Sequence, residues 1–343
     1  MVAEKSALPK SVAQVKVLAQ PGFMPAEPRS AAEPHIWRWR DLRPEALEMG
    51  QNVHDRERRV LRLGNPSLAP RTATTNTLFA GIQVVMPGEV ARAHRHTPAA
   101  LRFVIESRGG YTVVNGDRVP MLPGDLVLTP NWCWHDHCND TDEPMIWLDG
   151  LDTPLNGLLE TVFYEEYPDE VQPPVDVMDK GLTRYGGRAL LPRWEEHHGR
   201  HSPLMHYPCE EARSSLVRLA ELAEGSPQDG VILEYTNPLT GGAVMPTIAC
   251  HIQLLRPGER TAAHRHTSST IYHVVEGRGA SIVGGEELAW ESHDVFCVPL
   301  WAYHEHVNTS SEPAILFSYT DAPMFKALDL FREQAHPDGR LGA

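Results

Sequence analysis

The chain has 343 residues, 41% hydrophobic and 22% charged, which is ample for one large domain or two of ordinary size. A formal net charge of -14 argues against a nucleic-acid or anionic-membrane surface, since both need clustered Lys and Arg. Five Cys without a CxxC pair argue against a disulfide framework, and no apolar run suits a signal peptide or a bilayer span, so a reducing cytoplasm is the expected location.

Residues 1–33, rich in Ala, Pro, Ser and charge, are expected to form a mobile arm. Residues 35–39 read as a short strand and residues 44–49 as one or two helical turns. Residues 57–63 alternate in part, as an edge strand does, and residues 75–86 are rich in β-formers. Asn115-Gly116, between Tyr111-Thr112-Val113-Val114 and Val119, is a strong hairpin signal. Leu126-Val127-Leu128 and Met145-Ile146-Trp147-Leu148 complete a run of short strands broken by Gly and Pro. That pattern predicts an all-β antiparallel barrel or jelly roll and not a doubly wound sheet. Between residues 165 and 230 Pro residues punctuate a polar stretch. It includes an amphipathic helix over 210–224, with Leu216, Leu219, Ala220 and Ala223 on one face.

The chemistry-bearing stretch of the first half runs from Gly88 to Asn139. Side chains at i and i+2 of a strand share a face, so His94 and His96 can both look into a barrel. His135 would supply a third imidazole from a later strand, and His137 shares its face. Three neutral imidazoles suit iron, copper, nickel or zinc and leave positions on the metal open. The pattern then returns. Pro257-Gly258-Glu259 repeats Pro87-Gly88-Glu89, and His264-Arg265-His266-Thr267 repeats His94-Arg95-His96-Thr97, at an offset of 170. Asp294, Pro299, Trp301, His304, His306 and Asn308 repeat Asp125, Pro130, Trp132, His135, His137 and Asn139 at an offset of 169. A one-residue change in a hairpin turn would account for the shift. The expected domains are therefore an arm (1–33), a first barrel with its leading strands (34–164), a partly helical connector (165–230) and a second barrel (231–343).

The copies differ where Arg102 of the first meets Tyr272 of the second, and where His293 replaces Gly124. A planar, permanently charged Arg suits a carboxylate, and an inward Arg needs an anionic partner. A substrate carboxylate or an ordinary ion pair, such as one to Glu106, would supply it. The chemistry is therefore expected in the first barrel. His264, His266 and His304 read either as a second metal site or as a retained empty one.

These motifs resemble the cupin superfamily, with one departure: Ala100 and Leu101 stand where its usual Glu ligand falls. More closely, the chain resembles the gentisate 1,2-dioxygenases and the related salicylate and 1-hydroxy-2-naphthoate dioxygenases. The resemblance rests on residues 94–106, on Pro123-Gly124-Asp125, on residues 129–137 and on residues 147–152, with Ile36-Trp37-Arg38 and residues 57–61 similar upstream. It implies a bicupin and Fe(II)-dependent ring cleavage by dioxygen, with His94, His96 and His135 holding the iron. It also implies that Arg102 and His137 act on substrate, and that Gln83, Arg58, Trp147 and Asp149 line the pocket. The substrate implied is a small aromatic carboxylic acid, gentisate first, with maleylpyruvate as product. Salicylate and 1-hydroxy-2-naphthoate are alternatives, as is a non-oxidative metal-dependent cupin chemistry. Similarity further implies a homotetramer. Phe79 stands near the pocket, where an aromatic can set substrate breadth. Cys133 and Cys138, flanking the third His, suggest either packing or oxidation sensitivity.

Overall fold

Short strands separated by Gly, Pro and Asn turns account for most of the computed structural model, which describes residues 24–54, 59–173, 177–187, 190–194 and 200–341. The first half runs β1 (His35–Trp37), α1 (Trp39–Asn52), β2 (Val60–Arg62), β3 (Phe79–Val85), β4 (Val90–His96), β5 (Ala100–Glu106), β6 (Tyr111–Val114), β7 (Asp117–Pro120), β8 (Leu126–Thr129), β9 (His135–Cys138), β10 (Met145–Leu151), α2 (Thr153–Leu158) and β11 (Tyr164–Glu166). After α3 (Lys180–Tyr185), the second half runs β12 (His206–Tyr207), α4 (Cys209–Leu222), β13 (Val231–Tyr235), β14 (Ala249–Leu255), β15 (His264–His266), β16 (Thr270–Glu276), β17 (Arg278–Val283), β18 (Glu286–Glu291), β19 (Val295–Val298), β20 (His304–Asn308), β21 (Ala314–Thr320), α5 (Ala322–Ala327) and β22 (Glu333–Ala335).

Each half closes into a barrel of one six-stranded and one five-stranded antiparallel sheet. The first barrel pairs β12-β8-β5-β10-β3-β2 with β11-β4-β9-β6-β7; the second pairs β1-β19-β16-β21-β14-β13 with β18-β17-β20-β15-β22. The all-β expectation holds, and β2 is an edge strand as its partial alternation suggested. No helix among the described residues is long and apolar enough to cross a membrane.

The six-stranded sheets pack back to back. Phe103 of β5 stacks on Phe317 of β21 at 4.2 Å, and Tyr319 donates to the Phe79 carbonyl at 2.7 Å. A Cβ at Gly150 would come within 2.7 Å of the Tyr319 ring, so the close approach requires glycine there. Both faces of β5 are thus buried: Leu101, Phe103 and Ile105 face the other barrel, while Arg102 and Val104 face inward. Burial on both sides explains why β5, β8 and β21 read as nearly continuous apolar runs.

The asymmetry lies in the leading segments. β1 was expected with the first barrel, yet it pairs with β19 of the second, His35 opposite Cys297. Conversely β12, expected in the connector, pairs with β8 of the first barrel, His206 opposite Val127. Each strand leads directly into a 14-residue helix, and Trp39 and Cys209, which start those helices, stand 170 positions apart (209 - 39), as the rest of the repeat does. The second half of the connector is therefore the second copy of β1–α1. Its sequence has drifted, so hydrophobic pattern did not expose it.

The same crossing anchors the helices. The Trp39 amide at the start of α1 donates to Asp294 of the second barrel at 2.8 Å, and Arg38 pairs with the same carboxylate at 3.0 Å. The Cys209 amide at the start of α4 donates to Asp125 of the first barrel at 2.9 Å. A carboxylate facing free helix N–H groups satisfies them and complements the positive end of the helix. That external cap is why α1 begins at Trp39, with Pro44 inside it, although Pro44 reads locally as a first-turn residue. Further along the helices, Arg43 binds Glu106 at 2.6 Å and Arg213 binds Glu276 at 2.9 Å, again equivalent pairs.

Register also places the one-residue shift. Thr112 faces His137 and Ser281 faces His306, so the offset is already 169 in β6 and β17. The deletion falls in the turn after Glu106 and not in the Asn115-Gly116 hairpin, whose two positive φ values, 47° and 80°, suit a tight primed turn.

Candidate active site

In β4 the side chains of His94 and His96 turn inward while Arg95 turns outward. Arg95 lies between the rings of Trp132 and Trp134, 4.3 Å from each centroid, and Trp132 adopts φ 61°. These two aromatics therefore hold the outer side of the strand, as packing groups. His135 opens β9 directly opposite His94. One ligand nitrogen from each of His94, His96 and His135 lies within 4.8 Å of the others, a group that could hold a metal ion.

The backbone sets the tautomers. Nδ1 of His94, His96 and His135 lies 2.9, 2.8 and 3.0 Å from the carbonyls of Arg92, Pro98 and Cys133. An Nδ1–H donated to a carbonyl leaves Nε2 as a lone pair. The Nε2 of His135 is buried without a protein partner. Burial, then the charge of neighbouring His94, pushes His96 down to about 4, and burial holds His135 well below its ordinary value. His96 and His135 are thus neutral donors, and with His94, whose Nδ1 is likewise turned to a carbonyl, the all-imidazole set fits a transition metal.

The three imidazoles open into a cavity of about 260 Å³, also lined by Val60, Arg62, Phe79, Gln83, Ala100, Arg102, His137, Asp149 and Leu151. Arg102 is 3% exposed, and its Nη1 donates to Thr129 Oγ1. Its Nε lies 3.7 Å from Asp149 Oδ1, too far for a hydrogen bond, and has no other partner. Asp149 stands directly across the sheet from Arg102. The alternative pairing of Arg102 with Glu106 does not occur, because Glu106 lies at the strand end and binds Arg43 instead. Burial pushes the Asp149 carboxyl up to about 6, against the opposing pull of Arg102 and of a 2.8 Å hydrogen bond from Trp147 Nε1. Trp147, expected at the substrate, is fully buried behind Asp149 and does not line the cavity. His137, 1% exposed, is kept neutral by burial and then by Arg102.

Arg58 lies outside the described residues. Val60, Arg62, Leu151 and Thr129 were not singled out as site residues from sequence, and Ala100 was noted only as the place of a missing Glu. Val60, Ala100 and Leu151 carry no chemical signature, Arg62 stood in what read as an edge strand, and Thr129 is seen only once strand register brings it to Arg102. Tyr164 was also missed: β11 returns along β4 and stacks its ring 5.2 Å from His94. Cys133 is buried, which pushes its thiol up and favours packing over reactivity. All five Cys are free.

The Cupin domain family matches residues 81–150 and 251–320, one span per barrel. A 5-aminosalicylate 1,2-dioxygenase from Comamonas sp is 43% identical, over 92% of this chain and 84% of its own length. A gentisate 1,2-dioxygenase from Aquipseudomonas alcaligenes is 41% identical, over 90% of this chain and 88% of its own. The chain belongs to the gentisate 1,2-dioxygenase family. This is a gentisate-like ring-cleaving dioxygenase with a bicupin fold. Among solved structures, the salicylate 1,2-dioxygenase from Pseudaminobacter salicylatoxidans matches the dioxygenase with a TM-score of 0.88 at 37% identity, covering 94% of each chain. A variant of that enzyme has been solved in complex with gentisate.

The dioxygenase carries the second cluster in the same geometry. Centroids of His264 and His266 lie 4.3 and 5.0 Å from that of His304, against 4.3 and 4.8 Å in the first barrel. Its surroundings differ. Tyr272, in place of Arg102, stacks on Phe296 at 4.8 Å and 6°, and Ser318 replaces Asp149 across the sheet.

Proposed function

We propose that the dioxygenase uses Fe(II), held by His94, His96 and His135, to insert both atoms of dioxygen into a 2-hydroxybenzoate, with gentisate as substrate and maleylpyruvate as product. The observation that carries this reading is the pairing, in one cavity, of three imidazoles at ligand spacing with the under-satisfied guanidinium of Arg102. When bound, the metal supplies a redox path between a singlet ring and triplet dioxygen. Among the described residues no carboxylate joins the cluster, so an ion held by the three imidazoles would keep coordination positions for substrate and dioxygen.

Arg102 has spare N–H donors where the ring carboxylate would lie, and a planar fork fixes its pose. Asp149 holds the guanidinium from the side, and Trp147 fixes Asp149 in turn. His137, neutral and buried, accepts a hydrogen bond or the proton of a ring hydroxyl. Phe79, Val60, Ala100 and Leu151 supply apolar contact to the ring face and edge, and exclude water. Gln83 and Arg62 are polar groups available to a second ring substituent. Two of the relatives named above are named for gentisate and 5-aminosalicylate, both 2-hydroxybenzoates with a polar group at ring carbon 5, and the third for salicylate. The polar Gln83 and Arg62 in the cavity are what favour gentisate over salicylate or 1-hydroxy-2-naphthoate.

The test is oxygen uptake by Fe(II)-loaded protein with gentisate, 5-aminosalicylate, salicylate and 1-hydroxy-2-naphthoate, with product spectra recorded. Stoichiometric oxygen consumption and ring opening, greatest with gentisate, are expected. Turnover without oxygen, or with zinc alone, would move the protein to a non-oxidative chemistry.

A further inference from the structure

We propose that His264, His266 and His304 form a second transition-metal site, one that fastens the C-terminal end of the chain to its barrel and takes no aromatic substrate. The donors are prepared. Nδ1 of His304 lies 3.0 Å from the Ala302 carbonyl, and Nδ1 of His266 lies 2.8 Å from that of Ser268, so both Nε2 atoms are left as lone pairs. His304 is 1% exposed and its Nε2 has no protein partner, which costs stability unless something accepts that lone pair. One nitrogen from each of the three residues lies within 4.8 Å of the others. All-imidazole donors select a divalent transition metal such as zinc or iron.

The place of the cluster assigns its role. β15 is three residues long and meets β20 at His264 opposite His304. Just before it Arg260 bridges Val307 and the Thr261 amide donates to the His306 carbonyl at 2.9 Å, as Val90 and Ala91 meet β9 in the first barrel. The other edge of β15 is covered by β22, near the end of the chain, with Arg265 reaching Gln334 at 2.7 Å. An ion shared by two residues of β15 and one of β20 would cross-link the two strands at the position where β22 lies along β15, and so help retain β22.

A substrate site is missing beside it. The cation that would hold a carboxylate is replaced by Tyr272, whose ring is packed against Phe296 and lies 4.9 Å from His306. His306 itself is tied at Nδ1 to Ser281 Oγ at 2.8 Å, and Ser281 also accepts from Trp290 at 3.0 Å. The residue matching His137 is therefore held through its Nδ1, whereas Nδ1 of His137 has no protein partner.

The experiment uses the full chain, stripped by chelation and reloaded with Zn(II) alone, with zinc counted after desalting. Two equivalents are expected for wild type, one each for His135→Ala and His304→Gln, and none for the double variant. In His135→Ala, which keeps the second cluster, zinc should raise Tm by about 5 °C and slow proteolysis of the segment after α5. In the double variant it should do neither. Zinc-free His135→Ala would overturn the site, and zinc bound without either protection would overturn the fastening role. Iron-loaded His304→Gln should retain ring cleavage within about threefold; its loss would overturn the assignment of a substrate-free centre. Should His304→Gln fail to fold, His264→Gln replaces it. The zinc measurements do not depend on which aromatic acid the first barrel takes.

Discussion

The two barrels carry the same three imidazoles at nearly the same spacings and differ in what faces them. In the first, Arg102, Asp149 and His137 leave a cavity with charge and open donors. In the second, Tyr272, Phe296 and Ser318 fill the equivalent space with a stacked aromatic pair and a small hydroxyl. The comparison separates two requirements. Ligand geometry follows from strand period and survives duplication intact. Substrate capture needs a buried charge, which is costly without a partner and easily lost.

The comparison breaks most visibly at the ligands. His135→Ala should reduce ring cleavage to background and remove one metal equivalent, as read by oxygen uptake and metal analysis. Retained turnover would exclude the first barrel as the catalytic one. Next comes the residue pair that distinguishes the cavities. Arg102→Ala should lower kcat/KM for 2-hydroxybenzoates by about 10²- to 10⁴-fold, the equivalent of roughly 3–5 kcal/mol, because the buried cation that would hold the ring carboxylate is lost. Lys at this position should restore only part of that, lacking the planar fork. Tyr272→Ala should stay within about threefold of wild type, and a reversed ranking would exchange the roles of the barrels.

The crosswise anchors give a smaller contrast, read by stability. His206 bridges Asp179 at 2.6 Å and Asp125 at 3.0 Å, and the two carboxylates raise it to about 9 against the opposing effect of burial. A group raised in the folded state contributes most below its unfolded pKa and loses that contribution as pH climbs through the folded one. His206→Ala should therefore cost about 3 kcal/mol at pH 6. The difference from wild type should shrink as pH passes about 9. The counterpart anchor, Arg38 on Asp294, uses a guanidinium that stays charged, so the loss in Arg38→Ala should hold steady between about pH 6 and about pH 10. Equal pH profiles for the two variants would refute the contrast. The least effect belongs to the half-exposed pairs Arg43–Glu106 and Arg213–Glu276, where either Arg→Ala change should cost at most about 1 kcal/mol, and the same in both halves.

Much of this was legible in the chain itself. His-x-His at strand period, the Asn115-Gly116 turn and the recurrence near 170 residues are local or repetitive signals, and each survives in three dimensions because alternation and turn chemistry act over a few residues. They were enough to place both imidazole clusters, both barrels and the arginine that distinguishes one from the other. Tertiary structure decided what depends on partners far away in sequence. Strand register set Asp149, and not Glu106, beside Arg102, and put Trp147 behind the cavity. Carboxylates of the opposite barrel capped α1 and α4 and moved the start of α1 upstream. The exchange of β1 and β12 between barrels had no local signature, because a two- or three-residue strand looks the same whichever sheet edge completes its hydrogen bonds.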